Sequence, residues 1–262
     1  MKVSIITATY NSSAHIKDCV ESVNNQTYND IEHIIIDGAS KDNTLDIIKS
    51  IPNRVVKIVS EPDKGIYDAM NKGIKAATGD VVGILNSDDQ YIDEYVIEKI
   101  IYAFINDDID SLYTDLYIID DKDEKKIIRD CKYTNYKPGM FLWGWHPPHP
   151  TFFVKRTVYL KYGYFNMSFK IASDYEFMLR VIEKNRIKTK HISIYSILMR
   201  NGGISTSSFK NIFLSQKECI RAMNINNIKP NYVKYYTGKY IQKLNQYSLI
   251  SFIRDLINKT IK

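Results

Sequence analysis

Along the first third of the chain, apolar residues follow two rhythms that alternate. Short β-branched runs at Val3–Thr9, Ile31–Asp37, Val55–Ser60 and 81–85 predict strands. Between them, residues 14–23, 44–51 and 66–77 carry apolar positions at helical spacing. This alternation predicts right-handed βαβ units and a mainly parallel sheet, an α/β class of fold. The strands read as apolar throughout, as expected when helices cover both faces. Beyond Tyr91 the regularity fades. Residues 93–104 predict a helix, Ser111–Ile119 and 126–130 two strands around an acidic turn, and 136–151 a loop rich in Pro, Gly, Trp and His. A helix follows at 174–183, a strand pair at 188–199, and helices from Ser208 onward. No internal repeat or low-complexity segment interrupts this order.

Such a sheet binds ligands beyond the carboxyl ends of its strands. Polar residues stand at each of those ends: Thr9-Tyr10-Asn11, Asp37-Gly38-Ala39-Ser40, Glu61-Pro62-Asp63 and Asn86-Ser87-Asp88-Asp89. Four neighbouring strand ends that all deliver polar groups describe one site.

Composition narrows the class. The 262 residues suffice for a core that needs no disulfides. The three cysteines, Cys19, Cys131 and Cys219, lack any paired spacing and read as idle thiols. No leader-like or membrane-spanning apolar run is visible, so the expectation is a cytoplasmic protein or one bound to the cytoplasmic face of a membrane. The net charge of +6 is concentrated in the tail, where Lys229, Lys234, Lys239, Lys243, Arg254, Lys259 and Lys262 face one acid, Asp255. A nearly neutral body excludes a general nucleic-acid binder. A basic tail interleaved with Tyr235, Tyr236, Tyr240, Leu244, Tyr247, Ile250, Phe252, Ile253 and Ile257 suits an anionic membrane surface. Helices packed on the domain with lysines outward would give the same pattern.

The candidate chemistry follows. Asp88 and Asp89 are adjacent carboxylates after a buried-type strand, where repulsion and desolvation favour a hard cation such as Mg²⁺ or Mn²⁺ shared with phosphate oxygens. A solvated turn is the plainer account. Asp37 and Gly38 could read a base or ribose, with close backbone approach at the glycine, while Ser40, Asp42 or Asn43 caps the next helix. Asp68 and Asn71 share a helix face behind the Gly65 hinge.

The segments 5–11, 37–44, 61–73 and 79–89 together resemble glycosyltransferase family 2, the inverting GT-A-fold family of bacterial polysaccharide and O-antigen assembly. The resemblance covers roughly residues 3 to 206. It implies a GT-A domain, with 1–92 as the nucleotide-binding half and 93–206 as the acceptor half, followed by a helical basic-aromatic region at 207–262. It also implies roles. Thr7, Thr9 and Asn11 would line the nucleotide pocket, Asp37 would hold uracil, and Asp63, Asp68 and Asn71 would border ribose and sugar. Ser87-Asp88-Asp89 is similar to the family's DxD-type element with serine first. Asp88 would then meet ribose or sugar, and Asp89 the metal.

In the second half, Ser173-Asp174-Tyr175-Glu176 resembles the family's Glu-Asp motif, which makes Asp174 the general base with Glu176 in reserve. Asp174 would otherwise merely cap its helix. The stretch from His146 to Phe153 resembles the family's His-x-x-x-Phe wall, so His149 would contact sugar or acceptor, and Trp143 or Trp145 would stack on sugar or simply pack. Residues 200–205 resemble a segment that closes over pyrophosphate, with Arg200 neutralising the leaving UDP.

The implied reaction is transfer from a UDP-sugar, with Mn²⁺ or Mg²⁺, to a polyprenyl-diphosphate-linked saccharide. Two rivals are a nucleotidyltransferase, which would want a Gly-rich basic loop after the first strand, and a non-catalytic binding module, which would have lost Asp89 or Asp174.

Overall fold

The computed structural model describes residues 1–202 and 208–246. Strand β1 (Val3–Thr9) is buried along its whole length. It pairs in parallel with β2 (Ile31–Asp37), setting Thr9 opposite Asp37, and on its other side with β4 (Val81–Ile84). Strand β3 (Val55–Ser60) extends β2, also in parallel. Helices α1 (Ile16–Asn24), α2 (Thr44–Ser50) and α3 (Ile66–Ala76) make the crossovers. Successive strand residues point to opposite faces, and the core divides accordingly. Ile6, Ile34 and Ile36 pack under Met70 and Ile74 of α3. Val3 and Ile5 pack with Cys19 and Val23 of α1, and with Ile100 and Phe104 of α4 (Val96–Asn106).

The remaining strands are β5 (Gln90–Tyr91), β6 (Ser111–Ile119), β7 (Ile127–Cys131), β8 (Phe153–Lys155) and β9 (Thr189–Arg200). The sheet runs β3-β2-β1-β4-β8-β6-β9-β5, with β7 on β6. Because β8 is antiparallel to both β4 and β6 while β6 and β9 are parallel, the sheet is mixed. The order places a switch point between β1 and β4, where the connections diverge to opposite sides. That is where a crevice for ligands opens.

Several expectations change here. β3 is not buried on both faces: it is the sheet edge, and Val56 is exposed. Residues 188–199 form no strand pair but one long strand, because β6 offers a parallel partner along most of its length. The 136–151 loop contains two 3-10 turns, Met140–Trp143 and His149–Thr151. The helix at 174–183 is α6 (Ser173–Met178) running into a π-helical turn, Leu179–Lys184. Helix α5 (Arg156–Tyr162) precedes it.

Helices α7 (Phe209–Ile225) and α8 (Tyr232–Asn245) belong to the same core as the sheet. Cys219, Ile220, Ala222 and Met223 of α7 and Tyr235 of α8 are buried there. The tail residues from Tyr247 onward, including Arg254, Asp255, Lys259 and Lys262, lie outside the described residues, as do Gly203, Ile204 and Ser205 of the expected closing segment.

Candidate active site

The four strand-end loops are laced together by hydrogen bonds. The Asn11 backbone N–H donates to Ser40 Oγ at 2.8 Å, and Asn11 Oδ1 accepts from the Lys41 N–H at 2.9 Å, tying the end of β1 to that of β2. Asn11 takes a left-handed conformation to do so (φ 50°). Asn tolerates that region better than most residues. The hydroxyls of Ser12 and Ser87 meet at 2.9 Å, tying β1 to β4. The Ser60 hydroxyl donates to Asp37 Oδ2 at 2.6 Å, tying β2 to β3. Gly38 lets Asp63 close in: a Cβ there would lie 2.6 Å from Asp63 Oδ2. The expected single rim therefore exists as a bonded unit.

Two buried oxygens on this rim have no protein partner, Thr9 Oγ1 and Asp89 Oδ1. They stand at the ends of β1 and β4, on the two sides of the switch point. The other Asp89 oxygen accepts from Asn86 Nδ2 at 2.8 Å. Burial, and then the neighbouring Asp88 charge, push the Asp89 carboxyl well above the usual carboxylate range, while Asn86 and Arg200 oppose that push. A buried anionic oxygen with no donor fits a cation better than any other partner. Among the described residues no three His, Cys, Asp or Glu side chains gather as a self-sufficient metal cluster. A cation here would draw its remaining ligands from elsewhere, which phosphate oxygens and water suit.

Facing this rim, the single proton of the Tyr67 hydroxyl from α3 is shared between two acceptors, the Ile171 carbonyl at 2.5 Å and Asp174 Oδ1 at 2.9 Å. Burial and the Asp174 charge raise the Tyr67 phenol far above its ordinary value, so it stays a donor. No described residue donates to the second Asp174 oxygen. His146 and His149 are half-buried nearby. Burial lowers the pKa of both rings, and the Asp174 charge works against that in each. Glu218 of α7 accepts the N–H groups of Lys170 and Ile171 at 2.9 Å and of Ala172 at 3.0 Å, which fixes the approach to Asp174.

The pattern described as "Glycosyl transferase family 2" matches residues 4–174. The chain belongs to that family. The PGL/p-HBAD biosynthesis glycosyltransferase of Mycobacterium bovis is 28% identical over 225 residues, covering 81% of this chain and 82% of its own length. The chondroitin synthase of Pasteurella multocida is also 28% identical, over 86% of this chain but only 24% of its own length. Among solved structures, Staphylococcus aureus TarS 1-349 in complex with UDP-GlcNAc superposes with a TM-score of 0.64 at 18% identity. That match covers 86% of this chain, which spans 65% of the TarS chain. The likeness establishes the GT-A fold.

Within this glycosyltransferase, several residues singled out by sequence have other employment. Thr7, expected at the nucleotide pocket, is fully buried, with its hydroxyl 2.9 Å from His33 Nε2 on the neighbouring strand. Asp37 is also fully buried, and both its oxygens are taken by Ser40 and Ser60. Asn71 pins Phe165 through both backbone groups, at 2.9 and 3.0 Å. Asp63 caps its own turn through the Gly65 N–H at 2.8 Å. Asp68 accepts the Lys64 N–H at 3.1 Å and faces Lys72.

Glu176, expected as a reserve base, is buried in an ion pair with Arg180 and accepts from Asn226 Nδ2 at 3.1 Å. Trp145 is buried against Tyr113, Tyr136 and Phe141, so it packs and does not stack on a sugar. Arg200 is held by Asp18 and Glu124.

Sequence reasoning gave no role to Tyr67, Ser12 or Glu218. Only Tyr67 carried a signal, standing in the first turn of a helix behind a glycine hinge.

Proposed function

We propose that this chain is an inverting glycosyltransferase that uses a UDP-sugar, a hexose or N-acetylhexosamine, with Mn²⁺ or Mg²⁺. Its acceptor is a polyprenyl-diphosphate-linked saccharide in cell-surface polysaccharide synthesis of the O-antigen kind. The observation that carries this reading is Asp174: one oxygen shares the Tyr67 proton with the Ile171 carbonyl, and the other accepts from no described residue. A carboxylate held in that way can take the proton of an acceptor hydroxyl as that oxygen attacks the anomeric carbon, and a single displacement inverts the centre. Asp89, with Asp88 beside it, would hold the cation, which would neutralise charge on the departing diphosphate. Thr9, Asn11, Gly38 and Ser87 border the crevice where the nucleotide would lie. Arg200, released from Asp18 and Glu124, would then add its charge to the leaving group.

Two proteins of this fold support parts of the reading: TarS is complexed with UDP-GlcNAc, a UDP-sugar, and the Pyrobaculum calidifontis mannosyltransferase PcManGT, though with GDP-Man, also holds Mn²⁺. Peripheral contact with the inner face of a bacterial membrane is supported by the outer surfaces of α7 and α8. Phe209, Phe213, Val233 and Tyr240 are exposed there beside Lys217, Arg221 and Lys234. Among the described residues no helix is long and apolar enough to cross a bilayer.

The test is UDP release from a panel of UDP-sugars, with Mn²⁺ or Mg²⁺ or with EDTA, for wild type and Asp89→Ala. Metal-dependent turnover of one donor, lost in the variant, is expected. Failure to bind UDP at all overturns the reading.

A further inference from the structure

Helix α8 does more than cover the domain: it docks on the segment that carries His146 and His149. Gly238 rests against the turn Met140–Trp143, where a Cβ would lie 2.2 Å from the Trp143 carbonyl oxygen. From the other side, a Cβ on Gly144 would meet the Tyr235 carbonyl at 2.9 Å and Lys239 Cβ at 3.0 Å. Tyr235 is fully buried at this junction. Neither contact tolerates a larger residue, so the position of Lys239 against the acceptor wall is fixed by backbone packing.

Lys239 is half-buried and its ammonium donates to the Tyr235 hydroxyl at 3.1 Å. Among the described residues no carboxylate pairs with it. The His146 ring meets the ring of Tyr175, next in the chain to Asp174, edge-on at 5.4 Å, and Lys239 packs against Gly144, two residues before His146. The titratable groups around this junction are thus His146, Asp174 and Cys219. Of these only Asp174 is a carboxylate, and it bonds to Tyr67 and not to Lys239. A lysine held this firmly at the His146 segment, with no described carboxylate as its ion-pair partner, is placed to receive an anion from outside.

We propose that Lys239 binds a phosphate or diphosphate ester on the acceptor, and that α8 forms the acceptor wall of the active site. The identity of the bound molecule as acceptor rests on the glycosyl-transfer reading above; the anion site itself does not. The outward face of the same helix exposes Val233, Tyr240 and Ile241. One helix therefore offers apolar contact outside and a charge inside, the layout that a lipid-linked diphosphate requires.

The test uses the full chain with UDP saturating and Mg²⁺ in excess of all diphosphate, so that the donor crevice is filled before the probe is added. The NMR signal of His146 is followed while inorganic pyrophosphate or farnesyl diphosphate is added. Both probes are expected to shift that signal and raise the His146 midpoint. Lys239→Met should weaken both by roughly tenfold or more, the size of a charge-assisted hydrogen bond. Lys239→Arg should restore them, and UDP affinity should stay unchanged in both variants. Tighter binding of farnesyl diphosphate than of pyrophosphate assigns the site to a lipid-linked ester, and equal binding to a soluble one. An unchanged response in Lys239→Met, or none in wild type, overturns the proposal. Loss of UDP binding in wild type would instead overturn the glycosyl-transfer reading, since the His146 response requires no turnover.

Discussion

Asp37 and Asp174 are both aspartates singled out by sequence, and the fold holds them in opposite ways. Asp37 is fully enclosed, with its oxygens bonded to Ser40 and Ser60. Asp174 is partly open, with one oxygen on Tyr67 and the other accepting from no described residue. The donor rim is largely self-satisfied: loops from β1, β2, β3 and β4 bond to one another, and its reactive exceptions are Thr9 and Asp89. The proposed acceptor side is assembled from distant pieces, Tyr67, His146, Asp174, Glu218 and Lys239, and the second oxygen of Asp174, the proposed base, accepts from no described residue. A rim that saturates its own groups is a rigid platform. A base kept open on a scaffold of remote contacts is a reacting group.

The largest effect should come from Asp174. Asp174→Asn keeps the shape and removes the proton acceptor, so transfer should fall by about 10²–10⁴-fold with donor affinity intact. Glu176→Gln is the matching control. It should leave the turnover of folded protein near wild type, because Glu176 serves Arg180 and Asn226. Steady-state kinetics on both variants decides the pair. If Glu176→Gln proved the slower of the two, the assignment of the open aspartate as base would be wrong.

Glu218→Ala tests whether the acceptor side depends on α7. It strips three backbone N–H groups of their shared acceptor. Leaving such groups unpaired costs about 1–3 kcal/mol each when they stay dry. The expected outcome is a lowered melting temperature together with reduced kcat, with the KM for donor little changed. A variant that lost stability alone would show that the 170–172 segment holds its place without α7.

The sequence made the donor half legible because its motifs are contiguous. Each strand end is a short run, and the alternation of strands and helices dictates that such ends converge. It could not show that Asp37 and Asn71 would turn inward, since bonding to Ser60 or to the Phe165 backbone links positions far apart in the chain. The edge position of β3 was hidden for a similar reason: its β-branched run looks buried, and only strand order reveals that one side lacks a neighbour. On the acceptor side, Asp174 was visible through its motif, but its partners were not. Tyr67 lies 107 positions away. Lys239 looked like one lysine among many in a basic tail, and only the packing of Gly238 against Trp143 turns it inward.

Tyr67→Phe sharpens the contrast at intermediate size. Losing a hydrogen bond to a charged group costs about 1.5–3 kcal/mol, and here it removes the link between α3 and the base. If that bond holds Asp174 in its reactive position, kcat should fall by roughly 10- to 100-fold while UDP affinity is unchanged. Calorimetry and single-turnover rates on the same preparation separate the two contributions. Equal loss of donor binding would mean that Tyr67 shapes the platform and not the base.

The smallest effect, and the one with an unusual sign, is expected at Asp89. Burial and the Asp88 charge raise its carboxyl above the unfolded value of 3.8. The native state then binds more protons than the unfolded state over that interval. The stability this group contributes is present below 3.8 and lost as pH climbs through the folded value. At neutral pH, without metal, Asp89 therefore weighs against the fold. Asp89→Asn should raise metal-free stability near pH 7 and flatten that part of the stability–pH curve. The same substitution should abolish any rise in melting temperature that Mn²⁺ with UDP confers on wild type. Thermal melts across pH, with EDTA and with Mn²⁺ and UDP, read both effects. A variant less stable than wild type in EDTA would show that the Asp89 carboxylate is already satisfied by Asn86, and that the rim is saturated there as it is at Asp37.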